Sequence, residues 1–111
     1  MVYNYNLLLD SCASTLTISR DTARCISQAA GFCGLTTRIE ITQTLQKKKN
    51  DNGWINMDKW NFNYDGYSCL TNNKKDDLPN GIYRLKTVFS VYSQDVCEMH
   101  TKLSNEVFCL K

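Results

Sequence analysis

The stretch Pro79–Ser93 constrains the fold more than any other. A turn signal, Pro79-Asn80-Gly81, opens a long run in which Tyr83, Leu85, Phe89 and Val91 fall on one side. Arg84, Lys86, Ser90 and Tyr92 fall on the other, with Ile82 and Val88 as apolar exceptions there. Period-two alternation rich in aromatic and β-branched residues predicts a strand with one buried face. At about 11 residues it is long for a strand, which places it centrally in a sheet.

Other segments repeat the pattern at lower amplitude. Leu16 and Ile18 alternate within a Thr-rich run from Cys12 to Ser19, and Thr22–Ala29 offers only small residues (Ala23, Cys25, Ser27, Ala29) to one face. Thr37–Lys48 sets Ile39, Ile41 and Leu45 on one side, with Gln43 as a polar interruption. In Trp54–Tyr64 the phase shifts, because Ile55 and Met57 are out of step with Trp60, Phe62 and Tyr64; a bulge near Asn56–Asp58 reconciles them. Tyr67–Asn72 is a short strand and Cys97–Leu110 the last one, with Met99 and Val107 as its buried positions. No segment has a helical period. About seven strands joined by polar turns predict a single all-β domain over 1–111, an antiparallel β-sandwich. Residues 1–11 are expected to form a loosely packed lead-in.

Composition narrows the function classes. A formal net charge of +2 gives no field for nucleic acid. No apolar run approaches the roughly 20 residues of a transmembrane helix, so membrane insertion is not expected. His100 is the only histidine, so any triad, Cys–His pair or histidine metal site would have to be built on it. No glycine-rich phosphate loop or EF-hand loop occurs. The expectation is a non-enzymatic chain without a cofactor or metal. The triplet Lys47-Lys48-Lys49 reads as the solvated end of a strand before it reads as an anion site.

Six cysteines, at 12, 25, 33, 69, 97 and 109, contain no C-x-x-C pair. An even number in a small domain points to disulfides and an oxidising, extracellular setting, with any signal peptide already removed. Six cysteines allow 15 pairings.

The segment Leu78-Pro79-Asn80-Gly81-Ile82-Tyr83-Arg84-Leu85 resembles the turn and sixth strand of fibronectin type III and immunoglobulin-like domains. In that family the tyrosine forms a corner, its hydroxyl satisfying an upstream backbone group. Leu85 stands where antibody domains carry a cysteine, and the third strand lacks their tryptophan. Thr22-Ala23-Arg24-Cys25, Ile41–Lys48, Trp54 with Trp60, and Gly81–Lys86 are together similar to a group of small secreted β-sandwich domains of Gram-positive bacteria. That resemblance implies export and a sandwich fold and carries no activity with it.

An immunoglobulin-like strand order would gather the loops at Gly31–Gly34, Tyr64–Tyr67 and Ser93–Val96 at one pole. Phe32, Tyr64, Tyr67, Gln94 and Asp95 would then form a surface for a protein or glycan partner. The same order suggests the pairings Cys33–Cys97 and Cys25–Cys69, with Cys12–Cys109 left as the third. The function expected is a secreted binding module at or outside the cell surface. The alternative is a diffusible effector of toxin-like, antimicrobial or signalling type.

Overall fold

The computed structural model describes residues 2–3 and 7–111, and for 2–3 the backbone only. Its strands are β1 (Val2–Tyr3), β2 (Leu9–Ser19), β3 (Thr22–Gly31), β4 (Arg38–Lys48), β5 (Trp54–Asp65), β6 (Ser68–Lys75), β7 (Gly81–Ser93), β8 (Val96–Leu103) and β9 (Val107–Cys109). No helix occurs among the described residues.

The alternating run at Gly81 becomes β7, the longest strand. β4 pairs with it along one side, from Arg38 opposite Tyr92 to Lys47 opposite Tyr83. β8 and β9 share its other side, broken by Ser104–Glu106. The order of the larger sheet is β1-β8-β7-β4-β5, with β9 also on β7. A smaller sheet, β2-β3-β6, covers it. Every pair is antiparallel except β1 with β8. The architecture is a β-sandwich.

The two inner faces are complementary in size. Ala23, Cys25, Ser27 and Ala29 of β3 are buried opposite the larger Tyr83, Leu85, Phe89, Ile39, Ile41 and Leu45. Small side chains on one sheet leave room for aromatic and branched ones on the other, which is how facing layers fill space. The bulge expected in β5 is present. Leu45 pairs with Asp58 and Gln46 with Asn56, so Met57 is the extra residue. It lets Met57 and Trp60 pack against the same apolar cluster.

A layer of polar side chains crosses the core. Asn73 Nδ2 donates to Gln43 Oε1 at 2.7 Å, and Gln43 Nε2 donates to Ser27 Oγ at 2.8 Å and to the Cys25 carbonyl at 3.1 Å. Ser27 Oγ lies 2.8 Å from Thr87 Oγ1, which lies 2.9 Å from Ser14 Oγ; Ser14 in turn donates to the Leu85 carbonyl at 3.1 Å. Each hydroxyl has one proton to give. One direction therefore satisfies the chain: Ser27 donates to Thr87 and Thr87 to Ser14. Gln43, Ser27 and Thr87 are fully buried, and no buried side-chain polar atom among the described residues lacks a partner.

This layer divides the apolar core into two clusters. One holds Leu16, Leu45, Leu78, Tyr83 and Leu85; the other holds Leu8, Leu9, Ile39, Ile41, Phe89 and Val91. In the first, the Tyr83 hydroxyl donates to the Pro79 carbonyl, the kind of bond that the resemblance of Leu78–Leu85 implied. The Leu78 N–H donates to the Asp21 carbonyl at 2.9 Å, tying that corner to the β2–β3 turn.

Two expectations are corrected. Leu8 and Leu9 are buried rather than loosely packed, because β2 begins at Leu9 and closes the second cluster. Residues 1 and 4–6 of the expected lead-in lie outside the described residues. The last strand is two strands, and Met99 is exposed on the outer face while Val107 packs inward. The register sets this: Val91 opposite Glu98 and Phe89 opposite His100 turn those two residues inward and Met99 outward.

The polar layer and the corner bond differ in what they hold. Thr87→Val keeps the shape but leaves Ser27 without its acceptor and Ser14 without its donor, so it should destabilise the fold by about 1–3 kcal/mol. Tyr83→Phe loses one hydrogen bond and should cost about 1 kcal/mol. Denaturant midpoints at unchanged slope would measure both, and a Thr87→Val midpoint at or above wild type would contradict the role given to the layer.

Candidate functional site

The three loops expected to converge do so. The Gly31 N–H donates to the Tyr67 carbonyl at 2.6 Å, joining the end of β3 to the β5–β6 turn. The Gly66 N–H donates to the Thr37 carbonyl at 2.9 Å, and the Thr37 N–H to the Tyr92 carbonyl at 2.8 Å. The loop 32–37 is tied within itself as well: Leu35 and Thr36 N–H groups donate to the Phe32 carbonyl, and Thr36 Oγ1 donates to the Leu8 carbonyl at 2.6 Å. Such bonds fix the loop backbones relative to one another.

Aromatic side chains stand on this frame. Phe32, Tyr64 and Tyr67 are 39%, 41% and 44% exposed, and Leu35 joins them at 44%. Tyr64 lies against Gly66, where a Cβ would come within 2.4 Å of its ring, and Gly66 has φ of +155°. Only glycine suits both the space and the backbone there. The Tyr64 ring also stacks on Phe62, with centroids 6.4 Å apart and planes within 10°. Gln94 and Asp95 are exposed in the tight turn between Ser93 and Val96, with Gln94 at φ of +53°. They stand two strands from Tyr64, about 10 Å across the sheet. Between them Arg38 sits 4.0 Å over the Tyr92 ring and 2.7 Å from Glu40. Leu35 carried no signal in the sequence, since one leucine in a loop has no periodicity.

The proposed cysteine pairings do not form; all six thiols are free. Cys25 lies opposite Asn73 and Cys69 opposite Ala29, a slip of about 13 Å along neighbouring strands. Cys12 lies opposite Ala29, whereas the Cys109 thiol reaches the Arg20 carbonyl at 3.3 Å, about 26 Å away at the other end of β2. A disulfide needs Cα atoms within about 7 Å. Cys33 and Cys97 share the aromatic pole but remain unbonded, Cys33 in the exposed loop and Cys97 in β8 opposite Tyr92. Burial raises the Tyr92 hydroxyl pKa, and the Cys97 thiol beside it adds to the shift.

His100 has a structural partner. Its Nε2 stands 3.1 Å from Oε1 of the fully buried Glu98, whose Oε2 accepts N–H groups of Leu7 and Leu8. Glu98 thereby clamps the start of β2 to β8. The charge in an alternating strand would be read as outward, so nothing in the sequence marked it. A cleft of about 590 Å³ opens beside it between β2 and β8, lined by Asp10, Cys12, Met99, His100 and Lys102 among others. Burial pushes the Cys12 thiol up, against a smaller opposing pull from Lys102. That is the reverse of what activates a nucleophile. Among the described residues, no group of three or more His, Cys, Asp or Glu could hold a metal ion.

No family model matches the chain, and a comparison with curated proteins finds none significantly similar.

Thiol chemistry follows from these positions. Burial, helped by the Asp58 charge, pushes Cys25 from 9.0 up to about 12. The folded chain therefore holds that proton more tightly than the unfolded chain does. Its contribution to stability is complete below pH 9 and is lost as the pH rises toward about 12. Alkaline unfolding compared between wild type and Cys25→Ala should show a shallower decline in the variant over that window; parallel curves would refute it. At pH 8, iodoacetamide should label exposed Cys33 first and Cys25 only on unfolding, as read by peptide mass.

Proposed function

We propose that the chain is a non-enzymatic binding module of immunoglobulin or fibronectin type III kind, taking a protein or glycan partner at its aromatic pole. The observation that carries this is the cluster of half-exposed Phe32, Leu35, Tyr64 and Tyr67 on loops cross-tied by backbone hydrogen bonds. Large rigid aromatics on a fixed frame supply contact area with little conformational entropy to lose. Gln94 and Asp95 supply polar groups at the rim of the same pole. The kinship with that architecture is supported by β4 and β7 as the central pair of the larger sheet and by the Tyr83–Pro79 bond.

A place at or outside the cell surface belongs to this reading through the resemblance to exported sandwich domains. The cysteine count no longer adds to it, because none of the six thiols is bonded. The non-enzymatic part rests on His100, which is committed to Glu98, and on the Cys12 thiol, which burial keeps protonated.

The test is loss of binding at constant fold. Tyr64→Ala with Tyr67→Ala should reduce capture of a partner from cell-surface extract, or signal on a glycan array, by about tenfold or more, the scale of one hot-spot aromatic. Lys59→Ala, on the exposed outer face of β5, should leave capture unchanged. Equal binding by the double variant and the wild type would count against this pole.

A further inference from the structure

The opposite pole holds a further cleft, away from the aromatic loops. It has a volume of about 410 Å³ and lies between the β4–β5 turn and the start of β7. Its lining is Lys47, Lys48, Lys49, Asn50, Asn52, Asn80, Gly81 and Ile82. Every charged residue in that lining is a lysine. We propose that it binds a tetrahedral oxyanion, sulfate or phosphate, either free or as an ester on a sugar.

Three observations carry this. First, Lys47 is half-buried and has no carboxylate within salt-bridge distance among the described residues, although Lys48 has Glu106 at 3.5 Å and Lys49 has Asp51 at 3.9 Å. A partly desolvated ammonium without a counter-charge favours an anion beside it. Second, two lysine stems pass over glycines. A Cβ on Gly81 would lie 2.7 Å from Lys47 Cε, and one on Gly53 would lie 2.8 Å from Lys49 Cε. The ammonium groups are thus brought against the two turns that wall the cleft. Third, carboxamide donors are available. Asn80 accepts the Lys111 N–H through Oδ1 at 3.0 Å, which leaves its NH2 group to donate. The Asn50 and Asn52 side chains make no hydrogen bond among the described residues, and Asn52 is held at φ of +68° in the turn. Amide and ammonium donors around a compact volume suit oxygens in a tetrahedron.

Elsewhere at this pole the lysines are paired with carboxylates. Lys74 meets Asp76 at 3.9 Å, Lys75 meets Asp58 at 3.5 Å and Lys111 meets Asp21 at 3.8 Å. The pole as a whole is therefore not a basic patch, and Lys47 is the lysine there without a carboxylate partner among the described residues.

Heteronuclear NMR on the whole chain, at constant ionic strength in chloride, reads the site directly. Sulfate, phosphate, glucose 6-sulfate and methyl glucoside serve as probes. Saturable shifts confined to the amides of residues 47–53 and 80–82 are expected with the three anions and not with the neutral sugar. A tighter ester than free sulfate assigns the anion to a sugar; an equal or weaker ester assigns it to the free ion. Lys47→Met should weaken binding about tenfold or more, as loss of a charge-assisted bond predicts. Gly81→Ala displaces only the flexible end of Lys47, so it should weaken binding while the remaining spectrum stays folded. Absence of saturable shifts in the wild type, or equal affinity in Lys47→Met, would overturn the proposal.

Discussion

The structure depends on the polar layer that runs Asn73–Gln43–Ser27–Thr87–Ser14 through the middle of the sandwich. It links the smaller sheet to the larger one with hydrogen bonds whose donors and acceptors are used in one consistent direction. Apolar contacts alone tolerate sliding, because one methyl group is much like another. A buried amide does not, since displacement by one residue leaves it without partners in a medium that cannot replace them. Gln43 thus pins the register of β4 against β3 and β6, and Thr87 pins β7 against β2 and β3. The apolar clusters on either side supply most of the cohesion. The layer between them restricts it to one alignment.

That alignment decides what each end of the molecule can do. With β4 and β7 held in the centre, the ends of the strands are fixed and the loops that join them have little freedom. At one pole the turns carry phenylalanine, leucine and tyrosine, and cross-links such as Thr37 N–H to Tyr92 O keep them in place. At the other pole the turns carry lysine and asparagine, with glycines at the points where lysine stems cross the backbone. The two poles thus present different chemistry on one rigid support, as loops on a scaffold commonly do.

Glu98 shows how a buried charge can be a structural tie. Its carboxylate takes two backbone N–H groups from the start of β2 and the imidazole of the single histidine. These contacts join β2, an edge strand of the smaller sheet, to β8 of the larger one. The thiols are distributed without regard to pairing. Cys25 and Cys109 fill small spaces in the core, Cys12 and Cys69 flank Ala29 on the inner face, and Cys33 is left in solvent. Their packing is that of small apolar side chains.

The sequence by itself determined the strands β3, β4, β5 and β7 and their faces. Alternation in β7 and β4, the small residues of β3 and the phase shift in β5 each became the predicted strand, inner face or bulge, because these depend on neighbours two residues apart. The convergence of Phe32, Tyr64 and Tyr67 was legible once a strand order was assumed. Tertiary structure alone decided the rest. The cysteine pairings required distances across strands, and the four-residue slip between Cys25 and Ala29, the residue opposite Cys69, is invisible in spacing along the chain. Glu98 turned inward and Met99 outward because the register of β8 on β7 is set by long-range hydrogen bonds, while local polarity suggested the reverse. Gln43 looked like a flaw in an apolar face until Ser27 and the Cys25 carbonyl of β3 and Asn73 of β6 arrived to satisfy it. Local periodicity carries the pattern of each strand, and only the packing of strands distant in sequence determines which polar groups find partners.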